Sequence, residues 1–195
     1  GPDYAYDVKV DAAGNAYITG TTNSGDFPIT TLLGVTSTPA LNTAGFVTKL
    51  NPQGTGLVWS RFTPGSGRSI AIDSGGNAYI TGQIFPNIYA AKVNSSGSGF
   101  TYVTKIPGTG EGLAIALDQA GNAHVTGEAV IGITSTANAF QKTQGGARDA
   151  FIARFTPSGA LNYFSFLGGG QNDKGLDIAV DASGSDYIIG ETTST

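Results

Sequence analysis

The sequence contains one histidine, His124, and its imidazole is the only candidate for histidine acid–base chemistry. A Ser-His-Asp nucleophile would depend on it, and the absence of cysteine excludes a thiolate nucleophile and a cysteine-ligated metal. His124 stands where three similar segments of the chain carry Tyr17, Tyr79 and Tyr187. A place that is usually tyrosine is typical of packing within a strand. We therefore predict that His124 is structural and that tyrosine can replace it.

Carboxylates recur in a turn of the form Asp-x-x-Gly-Asn, which begins at Asp11, Asp73 and Asp118 and, with serine in the last place, at Asp181. A calcium loop places carboxylates at alternating positions and supplies about six to eight oxygens. The residues that follow Asp11 are two alanines, whose side chains cannot ligate a metal. The pattern favours a tight hairpin turn in which the aspartate accepts backbone N–H groups and the glycine adopts positive φ. We predict no metal, no other cofactor and no catalytic residue.

Basic residues also recur, because Lys49, Lys92 and Arg154 occupy one repeated place in three similar segments. An anion site would need these side chains to cluster, whereas equivalent residues of separate structural units lie apart. We expect a solvent-exposed face on which the aliphatic stems cover apolar surface and the charges reach water.

A pair of carboxylates for glycoside hydrolysis is the remaining candidate chemistry. Asp7 and Asp177 are assigned to equivalent places, at which Ile70 and Ala114 stand in the other two segments. The distance between the two carboxyl groups decides whether such a pair hydrolyses a glycoside, and no spacing in the sequence fixes that distance. An enzyme that acts on sugars is therefore an alternative, and we predict that the protein is not an enzyme.

The composition bounds the class of protein that must position these residues. The chain has 195 residues, 39% hydrophobic and 12% charged, with a net charge of -4, which predicts one globular domain. An acidic chain without a basic stripe argues against a nucleic-acid partner. No apolar run approaches the ~18 residues of a membrane span. Methionine is absent, so we expect a processed product or a piece of a longer protein.

Internal repeats provide the strongest indication of the fold. One block occurs four times, and two further blocks follow it in the first three units. The first block spans Asp11–Gly20, Asp73–Gly82, Asp118–Gly127 and Asp181–Gly190. The second spans Phe46–Gly54, Tyr89–Gly97 and Phe151–Gly159, and the third is marked by Trp59, Tyr102 and Tyr163. The blocks are short, rich in β-branched and aromatic residues and bounded by turn residues, which predicts strands.

Each full unit is interpreted as four strands, A to D, in a meander. Strand A precedes the turn aspartate, strand B carries the Ala-Tyr-Ile-Thr-Gly type, strand C the Phe-Val-Thr-Lys type, and strand D the third block. Four-stranded units at this spacing are typical of β-propeller blades. We predict an all-β propeller in which three full blades and a two-stranded half blade contain about fourteen strands, with strand A innermost and buried. The predicted limits are residues 3–66, 67–111, 112–172 and 173–195 for blades 1 to 4.

The repeated Asp-x-x-Gly-Asn-Ala-Tyr-x-Thr-Gly string, followed by Asp149–Gly159 and Leu161–Gly169, resembles the bacterial SBBP family of β-propeller repeats. Ser24–Pro28 and Asn138–Gln141 resemble that family's insertion, and the blade order is similar to that of NHL-type propellers. The resemblance implies a propeller repeat of the kind found in long secreted or surface proteins, so we expect an extracellular or cell-surface location. It implies no shared active site.

Long insertions between strands B and C, at residues 23–44 and 129–149, are the best candidates for a binding surface, because long loops often carry function. In a meander they emerge at the same edge as the D–A loops, to which Arg68, Glu111 and Asp173 are assigned. The candidate ligand-binding residues at this edge are Asp26, Phe27, Arg68, Phe140, Arg148, Asp149 and Asp173. The insertions either cover neighbouring blades or recognise a glycan or a protein.

Two functions remain open. The first is a noncatalytic scaffold for structure, assembly or adhesion, and the second is a lectin-like or sugar-active propeller with its site on the B–C loop edge. Strand B of blade 4 is expected to present an unpaired edge, which invites pairing with another chain. We therefore expect partners in the form of other copies of the chain or further blades of a longer chain. A glycan or a cell-surface protein is a further candidate partner.

Overall fold

Residues 1–30 and 43–195 are described by the computed structural model, and this part of the chain contains fourteen β-strands and no helix. Blade 1 contains β1 (Asp3–Val10), β2 (Ala16–Thr22), β3 (Ala44–Leu50) and β4 (Leu57–Thr63). Blade 2 contains β5 (Ser66–Ile72), β6 (Ala78–Ile84), β7 (Asn87–Val93) and β8 (Phe100–Ile106). Blade 3 contains β9 (Thr109–Leu117), β10 (Ala123–Ile131), β11 (Asp149–Phe155) and β12 (Leu161–Leu167). Blade 4 contains β13 (Asp173–Val180) and β14 (Asp186–Thr192).

The strands form three four-stranded antiparallel sheets and one two-stranded sheet, each in chain order from strand A outwards. The predicted fold class, three propeller blades and a half blade, is confirmed. Two blade limits differ slightly from the prediction, since β5 begins at Ser66 and β9 at Thr109 rather than at 67 and 112.

The inner strands follow one another around a common axis. β1 packs against β5, β5 against β9 and β9 against β13, and all four line one cavity of about 660 Å³, which we call the axial cavity. Within residues 1–30 and 43–195, no contact of similar extent joins β13 or β14 to β1. The arc of blades therefore stays open between blade 4 and blade 1.

A β-bulge occurs at the same step of every inner strand. The register shifts between Ala5 and Asp7 in β1, and at the equivalent step in β5, β9 and β13. The bulged residues, all of which line the axial cavity, are Tyr6, Arg68, Leu113 and Leu176. A bulge re-aims a side chain and bends its strand, so this repeated device turns one residue of each blade toward the axis.

The bulges correct three assignments made from the sequence. Arg68, Glu111 and Asp173 lie in β5, β9 and β13 rather than in D–A loops. The extra residue at the bulge interrupts the alternation of inward-facing and outward-facing side chains. The alternating sequence pattern therefore predicts only the part of each inner strand that follows the bulge. Ser69, rather than Ile70, is the equivalent of Asp7, because Ser69 pairs with Thr81 as Asp7 pairs with Thr19.

The expected burial of every inner strand is wrong for β1 and for part of β13, in which Leu176 is exposed. β5 is largely buried between its neighbours, whereas Tyr4, Val8 and Val10 of β1 are exposed. No preceding blade covers β1 in the described part of the chain, so its side chains face solvent.

At two of the interfaces, between blades 1 and 2 and between blades 2 and 3, an aromatic residue of strand D packs on a glycine of the next blade. A Cβ atom on Gly97 would overlap the Trp59 ring, and one on Gly159 would overlap the Tyr102 ring. Both glycines also have positive φ. The Trp59 indole donates a hydrogen bond to the Ser95 carbonyl at 3.0 Å, which fixes the ring over the turn.

Candidate functional site

The carboxylate of Asp149 organises the loop between β10 and β11. It is fully buried and accepts hydrogen bonds from the backbone N–H of Gly145 at 2.9 Å and of Gly146 at 3.0 Å, and from Gln141 Nε2 at 3.0 Å. A buried carboxylate needs such partners, because an unpaired charge is costly away from water. Both oxygens of this candidate binding residue are therefore used within the loop.

Asp173, the first residue of β13, is held in the same way. Its carboxylate accepts hydrogen bonds from the Gly169 N–H at 2.7 Å and the Ser194 hydroxyl at 2.9 Å, and also from the Thr192 hydroxyl. The bonds from Thr192 and Gly169 lower the pKa of Asp173, so the group is ionised. In blade 1, Asp3 accepts the equivalent hydrogen bonds from the hydroxyls of Thr22 and Ser24. The first residue of strand A is thus tied to the end of strand B in both blades, and we call this arrangement the A–B latch.

Of the first two candidate residues, Asp26 is exposed to solvent and Phe27 packs on aromatic residues of blade 1. Phe27 packs on Phe46 with ring centroids 4.4 Å apart and on Phe62 at 6.5 Å. Residues 31–42 of the predicted insertion lie outside the described residues.

The candidate arginines lie at different places. Arg68 lines the axial cavity, where its Nε lies 2.5 Å from Glu111 Oε1 and its guanidinium 4.5 Å from the centre of the Tyr6 ring. Arg148 is half-exposed and pairs with Glu128 at 3.1 Å. Arg68 therefore bridges three blades, whereas Arg148 belongs to the loop edge of blade 3.

Two carboxylates converge on the axial cavity, as a glycoside hydrolase would require. Asp7 accepts hydrogen bonds from the Ser69 hydroxyl at 2.8 Å and the Ile70 N–H at 3.0 Å, both in the next blade. Burial acts to raise the pKa of Asp7, but the hydrogen bonds from Ile70, Lys9 and Ser69 and the charge of Lys9 outweigh it and lower the pKa. Asp177 accepts the N–H of its neighbour Ile178 at 2.8 Å. The lowered pKa makes Asp7 a poor proton donor and favours a role in joining blades 1 and 2.

Lys49 and Lys92 are not on a solvent-exposed face, so that expectation is wrong for the two lysines, whereas the Arg154 side chain is 37% exposed. Lys49 Nζ lies 3.3 Å from Asp11 Oδ2 and 4.6 Å from the centre of the Tyr17 ring, and its side chain is largely buried. Lys92 repeats both contacts in blade 2, at 3.5 Å and 4.6 Å. Each cation is thus held between the turn aspartate and the strand B tyrosine of its own blade, and we call this arrangement the cation seat.

The turn aspartates accept backbone N–H groups, as the sequence pattern predicts. Asp11 Oδ1 accepts the N–H of Ala13 at 3.0 Å and of Asn15 at 2.9 Å. Burial acts to raise the pKa of Asp11, but hydrogen bonds from Asn15 and the charge of Lys49 lower it to about 2. Within the described residues, no group of three or more His, Asp or Glu side chains is placed to hold a metal ion.

His124 is buried between blades 3 and 4 and pairs with a carboxylate of each. Its Nδ1 lies 2.5 Å from Asp186 Oδ1 and its Nε2 lies 3.3 Å from Asp118 Oδ2. Arg154 Nε donates to Asp186 Oδ2 at 2.9 Å. Both ring nitrogens face carboxylates, so neither is placed to take a proton from a hydroxyl.

This cluster brings together three positions at which the residue differs from the equivalent residues of the other blades. His124 replaces a tyrosine, Arg154 replaces a lysine, and Asp186 stands where the other blades carry alanine. The coincidence of an added imidazole and an added carboxylate in adjacent blades is the pattern that could have revealed the pair.

A second cavity, of about 370 Å³, lies between blades 3 and 4 at the loop edge. It brings together Phe140 and Asp173 of the predicted site, with Phe140 84% exposed at its rim. Its lining also includes Leu167 of β12 and Gly190 of β14. Because it combines exposed apolar surface with charged groups, this cavity is the candidate functional site.

The outer edge of β14 adjoins this cavity. β14 pairs with β13, and no strand of residues 1–30 and 43–195 pairs with its other edge. Tyr187 and Ile189 of β14 are exposed. An unpaired edge beside an apolar cavity is a template for another strand.

Comparison with models of protein families gives a match for one segment of the chain. Residues 1–28 match the model of the SBBP family, described as a beta-propeller repeat, which confirms the resemblance predicted from the sequence. The matched segment contains β1 and β2, the hairpin that β13 and β14 repeat. A search of curated proteins found no match. No helix in the described residues is long and apolar enough to cross a membrane.

Proposed function

We propose that this propeller module is a noncatalytic scaffold for structure, assembly or adhesion, located outside the cell or on its surface. The observation that carries the proposal is that the polar side chains best placed for chemistry are engaged in joining strands, loops and blades. Asp7 accepts hydrogen bonds from the next blade, Asp149 from its loop and Asp173 from the A–B latch. The extracellular location is supported by the family resemblance alone.

Because the arc of blades is open, we propose that its partners are further copies of the chain or further blades. The uncovered end of blade 1 presents Tyr4, Val8 and Val10, and the end of blade 4 presents Tyr187 and Ile189. Clustered exposed apolar side chains of this kind are typical of interaction surfaces.

The mass of the protein in solution tests this proposal. We expect mass photometry and light scattering to detect association that increases with concentration and is lost in Val8→Lys. Val103→Lys, at a similarly exposed valine of β8, is the matched control and should leave association unchanged. A folded chain that stays strictly monomeric at high concentration would overturn the assembly role.

Glycan binding is the second candidate function, and exposed Phe140 is the observation that favours it. An aromatic ring beside the polar groups Lys174 and Glu191 offers an apolar face and hydrogen-bond partners at one cavity. A glycan array decides between the candidates. The scaffold proposal expects no binding, whereas binding that disappears in Phe140→Ala would favour the lectin-like alternative.

A further inference from the structure

We propose that the outer edge of β8 in blade 2 binds a segment of another protein in which a threonine is followed, five positions later, by an acidic residue. The threonine forms hydrogen bonds with the backbone of Val103, and the acidic residue pairs with Lys105. Blade 2 already has its four strands, so the segment lies outside the blade. This inference rests on the proposed scaffold function and names the chemistry of one partner.

The outer strands of blades 1 and 3 show what such an edge binds. In blade 1, the Thr30 N–H donates to the Ser60 carbonyl at 2.9 Å, and the Ser60 N–H donates to the Thr30 hydroxyl at 2.8 Å. In blade 3, Thr136 forms the same two bonds with Phe164, each at 3.1 Å. Both threonines belong to the long B–C insertions. We call this pair of bonds the threonine bridge.

The same place in blade 2 is open. β8 pairs with β7 in the register in which β4 pairs with β3 and β12 with β11, so Val103 is the equivalent of Ser60 and Phe164. Only residues 85–86 separate strands B and C of this blade. Within residues 1–30 and 43–195, no group forms a hydrogen bond with the outward N–H or C=O of Val103. Ser60 and Phe164 are fully buried, whereas Val103 is 39% exposed.

This open edge belongs to an internal blade, which has blade 1 on one side and blade 3 on the other. It is open because blade 2 lacks the insertion that covers the outer strand in its two neighbours. Strand edges with free N–H and C=O groups are established sites of peptide recognition.

A second contact in blade 3 gives the place of the acidic residue. Gln141 follows Thr136 by five positions, and its carbonyl accepts the Phe166 N–H at 3.2 Å in an antiparallel bridge. The common register makes Lys105 of β8 the equivalent of Phe166. A residue that takes the place of Gln141 beside β8 therefore faces Lys105.

The charge of Lys105 defines the chemistry of the partner. The equivalent residues Phe62 and Phe166 are aromatic, and Phe62 lies against Phe27 of the blade 1 insertion, with ring centroids 6.5 Å apart. Lys105 is exposed, and no acidic side chain of the described ranges forms an ion pair with it. A lysine on an edge strand opposes pairing with a neutral strand, because its charge loses water without gaining a partner. A carboxylate opposite supplies that partner.

A separate segment fits this edge better than a folded second copy does. β8 contains no acidic residue, so pairing of two β8 strands leaves Lys105 without a carboxylate opposite. Thr30 and Thr136 of a second copy are already held by the outer strands of their own blades. The occupant is therefore a segment of another protein, which suits a scaffold that joins unlike partners.

The test uses a fluorescent peptide with the sequence of Ile133–Gln141 in which Gln141→Glu supplies the acidic residue, titrated with up to about 1 mM of the full chain. We expect saturable binding that weakens by about fivefold when Thr136→Val removes the hydroxyl, and also in a basic peptide with Gln141→Lys. Hydrogen exchange should show new protection at Val103 and Lys105. Absence of binding, or equal binding of the three peptides, would overturn the proposal.

Protein variants locate the binding. Lys105→Glu should reverse the preference, so that the basic peptide binds more tightly than the acidic one. Lys142→Glu, at an exposed lysine of blade 3, is the matched control and should leave the preference unchanged. Val103→Pro removes an N–H that points away from the blade and should abolish binding with little change in Tm. A preference that Lys105→Glu leaves unchanged would overturn the proposal.

Self-association distinguishes this inference from the scaffold function. Protection of β8 that increases with protein concentration in the absence of peptide would show that a second copy takes the edge, and would overturn the proposal. If the peptide fails to bind while Val8→Lys still abolishes self-association, the scaffold function stands and this inference alone falls.

Discussion

His124 Nδ1 lies 2.5 Å from Asp186 Oδ1 across the interface between blades 3 and 4. In the first interface the equivalent residue is Tyr17, whose hydroxyl donates to the Gly76 carbonyl of blade 2 at 3.2 Å. The interface between blades 1 and 2 thus contains a hydrogen bond from a phenol to a backbone carbonyl, and the interface between blades 3 and 4 contains a contact between an imidazole and a carboxylate.

This relationship changes the expectation that tyrosine alone can replace His124. His124→Tyr removes one partner of Asp186, and Asp186→Ala leaves a buried imidazole and Arg154 without their shared carboxylate. We expect each to lower the free energy of unfolding by about 2 kcal/mol. The double variant reproduces the residue pair of the first interface, Tyr17 with Ala78, and should cost less than the sum of the single variants, with a coupling of about 1 kcal/mol. Urea denaturation of the four proteins measures this, and strict additivity would contradict it.

The aromatic contact between blades predicts different costs for alanine at two similar glycines. Gly54 and Gly97 both have positive φ, but a Cβ atom meets nothing at Gly54 and overlaps Trp59 at Gly97. We expect Gly54→Ala to cost about 1 kcal/mol through backbone strain alone. Gly97→Ala should cost about 1–3 kcal/mol more through overpacking. Thermal denaturation compares them, and equal costs would mean that Trp59 moves freely away.

The loop between β10 and β11 should depend on Asp149. Asp149→Ala removes the acceptor for the Gly145 and Gly146 N–H groups, and we expect it to lower the free energy of unfolding by about 2 kcal/mol. Hydrogen exchange and limited proteolysis within residues 141–148 should accelerate. Asp26→Ala, at an exposed carboxylate of the other insertion, is the control and should change neither measurement. Unchanged exchange in Asp149→Ala would show that other contacts hold the loop.

Acid should weaken the hairpin turns. The folded-state pKa values of Asp11 and Asp181 are about 2, below the ordinary 3.8, so each carboxylate favours the folded state above pH ~4. That contribution is lost as the pH falls from about 4 to about 2. We expect the urea midpoint to decrease over this range and Asp11→Asn to flatten the decrease. A midpoint that rises as the pH falls would contradict the assignment.

The blade organisation could be predicted from the sequence because its turns have a local chemistry. The turn from Asp11 to Asn15 recurs, and each copy places a strand on either side of it. The first residues of strand A could not be predicted, since a bulge hides the alternation that marks a strand. Asp173 was assigned to a loop for this reason, although it begins β13.

The partners of the site residues are harder to predict, because many are backbone groups. Nothing in the sequence indicates that the Gly145 N–H points at Asp149, or that the Gly169 N–H points at Asp173. Ligand binding by the loop-edge residues stays a prediction. The second cavity could be placed only once the edge of β14 and the exposed face of Leu167 were seen together.

The two surfaces that meet at an interface between blades are different, since one carries an aromatic ring and the other a glycine. Trp59 of blade 1 packs on Gly97 of blade 2, and Tyr102 of blade 2 packs on Gly159 of blade 3. A tandem duplication of a whole repeat therefore brings the aromatic residue of one blade to the glycine of the next. A blade packed in the reverse orientation would instead set two rings, or two glycines, against each other. This asymmetry lets such an array gain or lose whole repeats over evolution while each new joint inherits a fitting surface from an old one.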